Sequence, residues 1–150
     1  MGNNLKNYKA KVSMLIPVYN SGEFIFQTIR SAVDQTWPYK EIIIVDDGST
    51  DDSYRIACEF RSEKVKVYQQ ENAGTCNARN KAFEYSTGDF IQYLDADDLL
   101  SEDKITEQIK LFEKYGSSIV ASCRWDKFYQ DPEEATFPHR YQDKDWEYPI

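Results

Sequence analysis

The run "EIIIV" (residues 41–45), broken off at once by "DDGS", limits what this chain can fold into more than any other feature. Ile42, Ile43, Ile44 and Val45 alternate across a strand, so both of its faces are apolar. Such a strand needs cover on both sides, as in the centre of a parallel sheet with helices above and below. Asp46 and Asp47 then end it abruptly. Gly48 permits a tight turn, and Ser49 or Thr50 is placed to cap a following helix.

The same texture recurs along the chain. "VSMLIPVY" reads as a buried strand that Pro17 brings to a stop. "SGEFIFQTIRSAVDQ" carries Phe24, Ile25, Ile29, Ala32 and Val33 at helical spacing, with Ser21 as its cap candidate. "DDSYRIACEFRSE" is a helix with Asp51 and Asp52 in its first turn, where acids suit the macrodipole. "KVKVYQQ" alternates as a third strand, and "NAGTCNARNKAFEYS" opens from a loop into a helix with Ala78, Ala82 and Phe83 inward. "GDFIQYLD" is a fourth strand. "SEDKITEQIKLFEKYG" is a helix with Ser101 as cap, Ile105, Ile109 and Phe112 inside, and Gly116 as its stop. "SSIVASCRW" reads as a fifth strand.

Strand and helix in alternation predict the α/β class: an open, mostly parallel sheet flanked by helices. In such sheets ligands bind beyond the carboxyl ends of the strands. That rule gathers "PVYN", "DDGS", "ENAGTCNAR" and "DADD" on one rim. We expect a flexible tail over residues 1–10, one domain over 11–125, and a C-terminal segment over 126–150. That last segment is aromatic, charged and broken by Pro132, Pro138 and Pro149.

Composition narrows the function classes. A formal net charge of −8 argues against a nucleic-acid-binding surface, which is ordinarily basic. No stretch approaches the apolar length of a membrane span, so no transmembrane segment is expected. Cys58, Cys76 and Cys123 are far apart and accompanied only by His139, which argues against a zinc site or a disulfide framework and for reduced thiols in a cytoplasmic domain. Neither a Gly-x-Gly-x-x-Gly fingerprint nor a P-loop is present.

The stretch "FIQYLDADDL" places Asp95, Asp97 and Asp98 where a strand runs out. Asp95 and Asp97 fall on one face, and two carboxylates about 6 Å apart repel by roughly 3 kcal/mol at an effective dielectric near 20. A divalent cation, basic side chains, backbone N–H groups or water offsets such a repulsion. Asp97 and Asp98 read equally well as turn-formers. On the functional reading, Asp95 and Asp97 hold Mn²⁺ or Mg²⁺, leaving other positions to phosphate oxygens and water. Arg79, near the start of a helix, is either a surface charge or a guanidinium for phosphate.

Taken together, "SMLIPVYNSGEFIFQTIRSAVDQTW", "EIIIVDDGSTDDS" and "ENAGTCNARNKAFEYSTGDFIQYLDADD" resemble the family 2 glycosyltransferases of the GT-A fold. The resemblance runs over about residues 12–112. It implies an inverting transfer of a sugar from a UDP-sugar to an acceptor hydroxyl, dependent on Mn²⁺ or Mg²⁺. It further implies Asp97 as the direct metal ligand within Asp95-Ala96-Asp97, with Asp95 beside the ribose and sugar. Pro17 and Tyr19 would surround the base, Asp47 would accept a uracil N–H, and Asn72 and Arg79 would lie close to the nucleotide. The acceptor would be a glycan or a lipid-linked molecule, with the parent protein at the inner face of a membrane.

That family continues into an acceptor-binding half that carries the general base, and residues 113–150 do not match it. Glu133, Glu134, Asp143, Asp145 and Glu147 stand in no motif. The base is therefore expected beyond Ile150, with this chain as the donor-binding part of a longer protein. The alternative is a noncatalytic nucleotide- or carbohydrate-binding module. A sugar-1-phosphate nucleotidyltransferase would need a Gly-rich, Arg-containing loop after the first strand. A phospho-receiver would need an acid pair there. "IPVYNSGEF" supplies neither.

Overall fold

The structure is a computed structural model that describes residues 9–116 and 118–123. The chain divides into two units, residues 1–119 and 120–150. Every helix and strand below belongs to the first unit; of the second, only residues 120–123 are described, and they form no helix or strand.

The element order is β1 (Val12–Val18), α1 (Ile25–Val33), β2 (Lys40–Asp46), α2 (Ser53–Cys58), β3 (Val65–Gln69), α3 (Thr75–Glu84), β4 (Phe90–Tyr93) and α4 (Lys104–Tyr115). The strands form one sheet in the order β3-β2-β1-β4, and every pairing is parallel. The chain steps outward from β1 through β2 to β3, then returns to lay β4 on the other side of β1. The strand order reverses between β1 and β4, which makes their carboxyl ends the natural crevice for a ligand.

Periodicity explains the layers. Met14, Ile16, Ile42 and Ile44 pack on one face with Ile25, Ile29 and Ala32 of α1, Ala57 of α2, and Ile105 and Ile109 of α4. Leu15, Ile43 and Val45 face the other way, against Ala78 and Ala82 of α3. All of β1 is buried, as the two-faced apolar run demands. Phe83 does not join that inner face. It is 55% exposed, because a residue one place beyond Ala82 lies about 100° further round the helix.

Pro17 does not stop β1. The strand runs on through Pro17 and Val18, in register with Val45 and Asp46. Leu15 O accepts from Leu94 N, whereas Val18 O accepts from Asp47 N. Odd positions of β1 thus face β4 and even positions face β2. Pro17, which has no N–H, falls on the β4 side after β4 has ended, and no ladder bond is lost there.

The expected side-chain caps are replaced by other partners, local at α1 and α2 and distant at α4. No N-cap side chain bonds its helix at α1, α2 or α4. Asp51 Oδ1 accepts the Ser53 N–H at the start of α2. Gln35 Oε1, from just beyond α1, accepts the Ile105 N–H of α4. Gly116, at φ 85°, ends α4 as expected. Within the expected fifth strand, residues 118–123 form no strand; Val120 is 95% exposed, and Ile119 and Ala121 are only half-buried. Residues 1–8 and 124–150, which include most of the expected tail and all of the C-terminal segment, lie outside the described residues. Ala10 is buried, and its carbonyl accepts from the Trp37 indole at 2.9 Å. Among the described residues, no helix is long and apolar enough to cross a membrane.

Candidate donor site

The segments after β1, β2, β3 and β4 meet on the predicted rim. Carboxylates sew the first three together. Asp47, only 2% exposed, accepts from Gln70 Nε2 at 2.7 Å, from the Ala73 N–H at 2.9 Å and from the Gly74 N–H at 2.8 Å. Burial works against its charge, but the donors from Ala73, Gln70 and Gly74 outweigh it and hold the carboxyl below its ordinary range. Asp51 joins the first two segments. Its Oδ2 accepts the Gly22 N–H at 2.9 Å, while Ser53 Oγ accepts the Ser21 N–H at 2.7 Å. Asn20, in the left-handed region at φ 47°, completes the clasp. It donates its N–H to Ser49 Oγ at 3.0 Å and accepts the Thr50 N–H at 2.8 Å.

The fourth segment carries the acids. Leu94 and Ala96 are buried, while Asp95, Asp97 and Asp98 are exposed. Arg79 Nη2 donates to Asp95 Oδ1 in an ion pair. The hydrogen bond to Asp95 and its charge raise the Arg79 pKa further. Arg79 Nε is buried and has no partner among the described residues, as is Asp46 Oδ2. Burial, then the charges of Asp97 and Asp95, push the Asp98 carboxyl up. Those carboxylates therefore sit close enough to feel one another. A cleft of about 390 Å³ opens here, lined by Cys76, Arg79, Asn80, Tyr93, Asp95 and Asp98.

Of the residues singled out from sequence, Arg79 and Asp95 are brought into direct contact. Asp97 is exposed beside them. Tyr19 is 48% exposed, next to the Asn20 clasp, and Asn72 is exposed beside the strap that Asp47 holds. Pro17 is buried inside β1. Tyr19, Asp47 and Asn72 share the rim with the cleft but do not line it.

No group of three or more His, Cys, Asp or Glu among the described residues is arranged to hold a metal by itself. Mn²⁺ and Mg²⁺ do not require one, because they are held by one or two carboxylates with phosphate oxygens and water completing the shell. Asp97, free of hydrogen bonds and ion pairs among the described residues, fits that donor set. Asp95 fits it less fully, having one oxygen on Arg79.

Other participants were not legible as site residues. Thr28 Oγ1 donates to Ala96 O at 2.8 Å, Ser31 Oγ accepts the Leu100 N–H at 3.2 Å, and Gln35 Nε2 donates to Ser101 O at 2.7 Å. The available signal was a polar residue, Thr28, on the inward apolar stripe of α1.

Comparison with known proteins agrees with this fold. The family described as Glycosyl transferase family 2 matches residues 13–148. TuaG of Bacillus subtilis strain 168, named as a candidate teichuronic acid biosynthesis glycosyltransferase, is 37% identical over 145 residues, covering 89% of this chain and 58% of TuaG. S. aureus TarS 1–349, solved in complex with UDP-GlcNAc, superposes with a TM-score of 0.66 at 29% identity, covering 70% of this chain and 32% of TarS. The mannosyltransferase PcManGT of Pyrobaculum calidifontis, solved with GDP-Man and Mn²⁺, gives 0.63 at 25% identity, over 71% and 33% of the respective chains. This chain thus spans less than two thirds of the length of each. With its parallel sheet, acid-bearing rim and match over most of its length, the chain belongs to glycosyl transferase family 2.

Proposed function

We propose that this chain is the donor-binding part of an inverting, metal-dependent glycosyltransferase that uses a UDP-sugar. The observation that carries the reading is the meeting of Arg79 with the Asp95-Ala96-Asp97 acids at the point where the strand order reverses. TarS, whose structure contains UDP-GlcNAc, supports the choice of nucleotide. The acceptor is assigned to cell-envelope glycans or their lipid-linked precursors, on the strength of the name of TuaG.

Each residue then has a task. Arg79 keeps one arm on Asp95 and offers its remaining donors, including the unpartnered Nε, to a diphosphate. Asp47 uses three of roughly four acceptor positions on the segment after β3 and has one left for a base N–H. Tyr19 presents an exposed ring to the base, with Asn72 near the same edge. Asp97, with Asp95 beside it, would hold the cation, which when bound offsets charge on the leaving diphosphate. The acceptor hydroxyl attacks the anomeric carbon as the bond to the diphosphate breaks, and a general base takes the hydroxyl proton. That base is assigned to the acceptor half, outside this chain.

Thermal unfolding with UDP, GDP, TDP and CMP, each with and without Mn²⁺, tests the reading. A ligand at a hundred times its Kd adds about 2.7 kcal/mol, or roughly 5–10 °C in Tm for a domain of this size. The rise is expected with UDP plus Mn²⁺. Asp97→Asn should abolish it and leave the ligand-free Tm where it was. A rise that survives in Asp97→Asn refutes the metal assignment, and no rise with any nucleotide refutes the donor site.

A further inference from the structure

We infer that Thr28 is a positioning residue for the Asp95-Ala96-Asp97 carboxylates, with Ser31 of α1 and Gln35 just beyond its end extending the same polar rail. The inference rests on the donor-site reading given above and adds to it the device that sets the acids in place.

Thr28 is fully buried, on the same inward stripe as Ile25, Ile29 and Ala32. A hydroxyl there costs free energy unless it is paired. It has two acceptors within reach, Phe24 O of its own helix at 3.4 Å and Ala96 O at 2.8 Å. One hydroxyl carries one proton, and the shorter contact takes it. The usual bond back to the helix is thus given up for one that crosses to the acidic segment.

The acceptor is the carbonyl of the middle residue of the acid triplet. Ala96 is buried and its neighbours Asp95 and Asp97 are exposed. Fixing that carbonyl fixes the peptide plane between Ala96 and Asp97, and the alternation carries both carboxylates outward. The rail continues at helical spacing. Ser31 Oγ donates to Thr28 O at 2.8 Å and accepts the Leu100 N–H at 3.2 Å. Gln35 bonds Ser101 O at 2.7 Å and the Ile105 N–H at 3.1 Å. Thr28 and Ser31 of α1 and Gln35 just beyond it therefore grip successive points of the segment from Ala96 to Ile105. Since α1 is buried against β1 and β2, the acids inherit the rigidity of the sheet.

The experiment compares Thr28→Val, Thr28→Ser and Ile29→Val in the full 150-residue chain. Valine keeps the shape and removes the donor, serine keeps the donor, and Ile29→Val loosens the same helix without touching the rail. Mn²⁺-dependent UDP affinity is measured by calorimetry, and amide hydrogen exchange at residues 96–98 is measured without ligand. Thr28→Val should weaken UDP·Mn²⁺ by about tenfold, the scale of one buried hydrogen bond lost from the segment that carries the acids, and should speed exchange at residues 96–98. Thr28→Ser should restore both, and Ile29→Val should leave both near wild type. Wild-type affinity in Thr28→Val overturns the inference. So does failure of serine to rescue, or an equal loss in Ile29→Val. If the unaltered chain binds no nucleotide, the donor-site reading falls, and the exchange rates alone decide the rail: rates in Thr28→Val equal to those in Thr28→Ser overturn it.

Discussion

Glu41 sits at the end of β2 opposite the rim and shows what one buried charge does for this fold. Its side chain is 4% exposed and bonds Lys11 Nζ at 2.7 Å, Ser13 Oγ at 2.7 Å, and the Thr87 N–H at 2.7 Å. Burial opposes its charge, yet the bonds from Lys11, Ser13 and Thr87 hold its pKa at about 2, against an ordinary 4.5. A folded pKa below the unfolded one means stabilisation that is complete above about pH 4.5 and fades as pH falls toward 2. Glu41→Gln should therefore cost about 2 kcal/mol at pH 7, or roughly 4–8 °C in Tm. Urea denaturation repeated from pH 7 down to pH 2 checks the sign. The gap between wild type and variant should close across that acid window, and a gap that stays constant would refute the linkage. None of this was visible from the sequence, where Glu41 reads only as the polar start of an apolar strand.

At the scale of elements, apolar periodicity made the sheet and the helices legible before any coordinates. β2, β3, α3 and α4 lie where the pattern put them, because burial of a stripe is a local property of sequence. The start of α4 was not legible, because a group that satisfies it comes from elsewhere in the chain. Ser101 was the expected cap of α4, yet the orphan N–H of Ile105 is met by Gln35, seventy positions earlier. Gln35 is only 3% exposed, and it ties that N–H and Ser101 O at once. Gln35→Leu keeps the bulk and leaves the buried Ile105 N–H without that partner, at about 1–3 kcal/mol, while Ser101 O keeps the Lys104 N–H. The expected outcome is a lower urea midpoint, together with faster amide exchange confined to the first turn of α4. Uniformly faster exchange along α4 would show instead that Gln35 matters through packing. Pro17 makes the same point for strands: whether a proline ends one depends on how far its neighbour extends, and β4 ends at Tyr93.

For the molecule as a whole, the rule that ligands gather beyond strand ends picked out the rim, whereas the pairing of Arg79 with Asp95 there was not read from the sequence, which offered Arg79 only as a surface charge or a phosphate partner. What holds the rim together was not legible, since Asp47, Asp51 and Asn20 bond residues that are distant in sequence. Gly48 is the tightest point of that assembly. At φ +72°, a Cβ built on it would lie 2.8 Å from Asn72 N and 3.3 Å from Gln70 O. Gly116 has a similar φ of +85°, but a Cβ there would meet nothing within 4 Å. Alanine at either position bears the left-handed penalty of about 1–2 kcal/mol, whereas only at Gly48 must a neighbouring backbone move, adding roughly 1–3 kcal/mol. The displaced strap is the one whose N–H groups stabilise the charged Asp47 carboxylate, so Gly48→Ala should lose stability and UDP affinity together. Gly116→Ala should lose about half as much stability and no affinity. Urea midpoints and UDP·Mn²⁺ titrations on the two variants separate a conformational penalty, common to both, from the close approach that joins the β2 and β3 edges of the site. Equal stability losses with UDP affinity retained in Gly48→Ala would mean that the rim tolerates the shift and that the strap is not part of the proposed donor site.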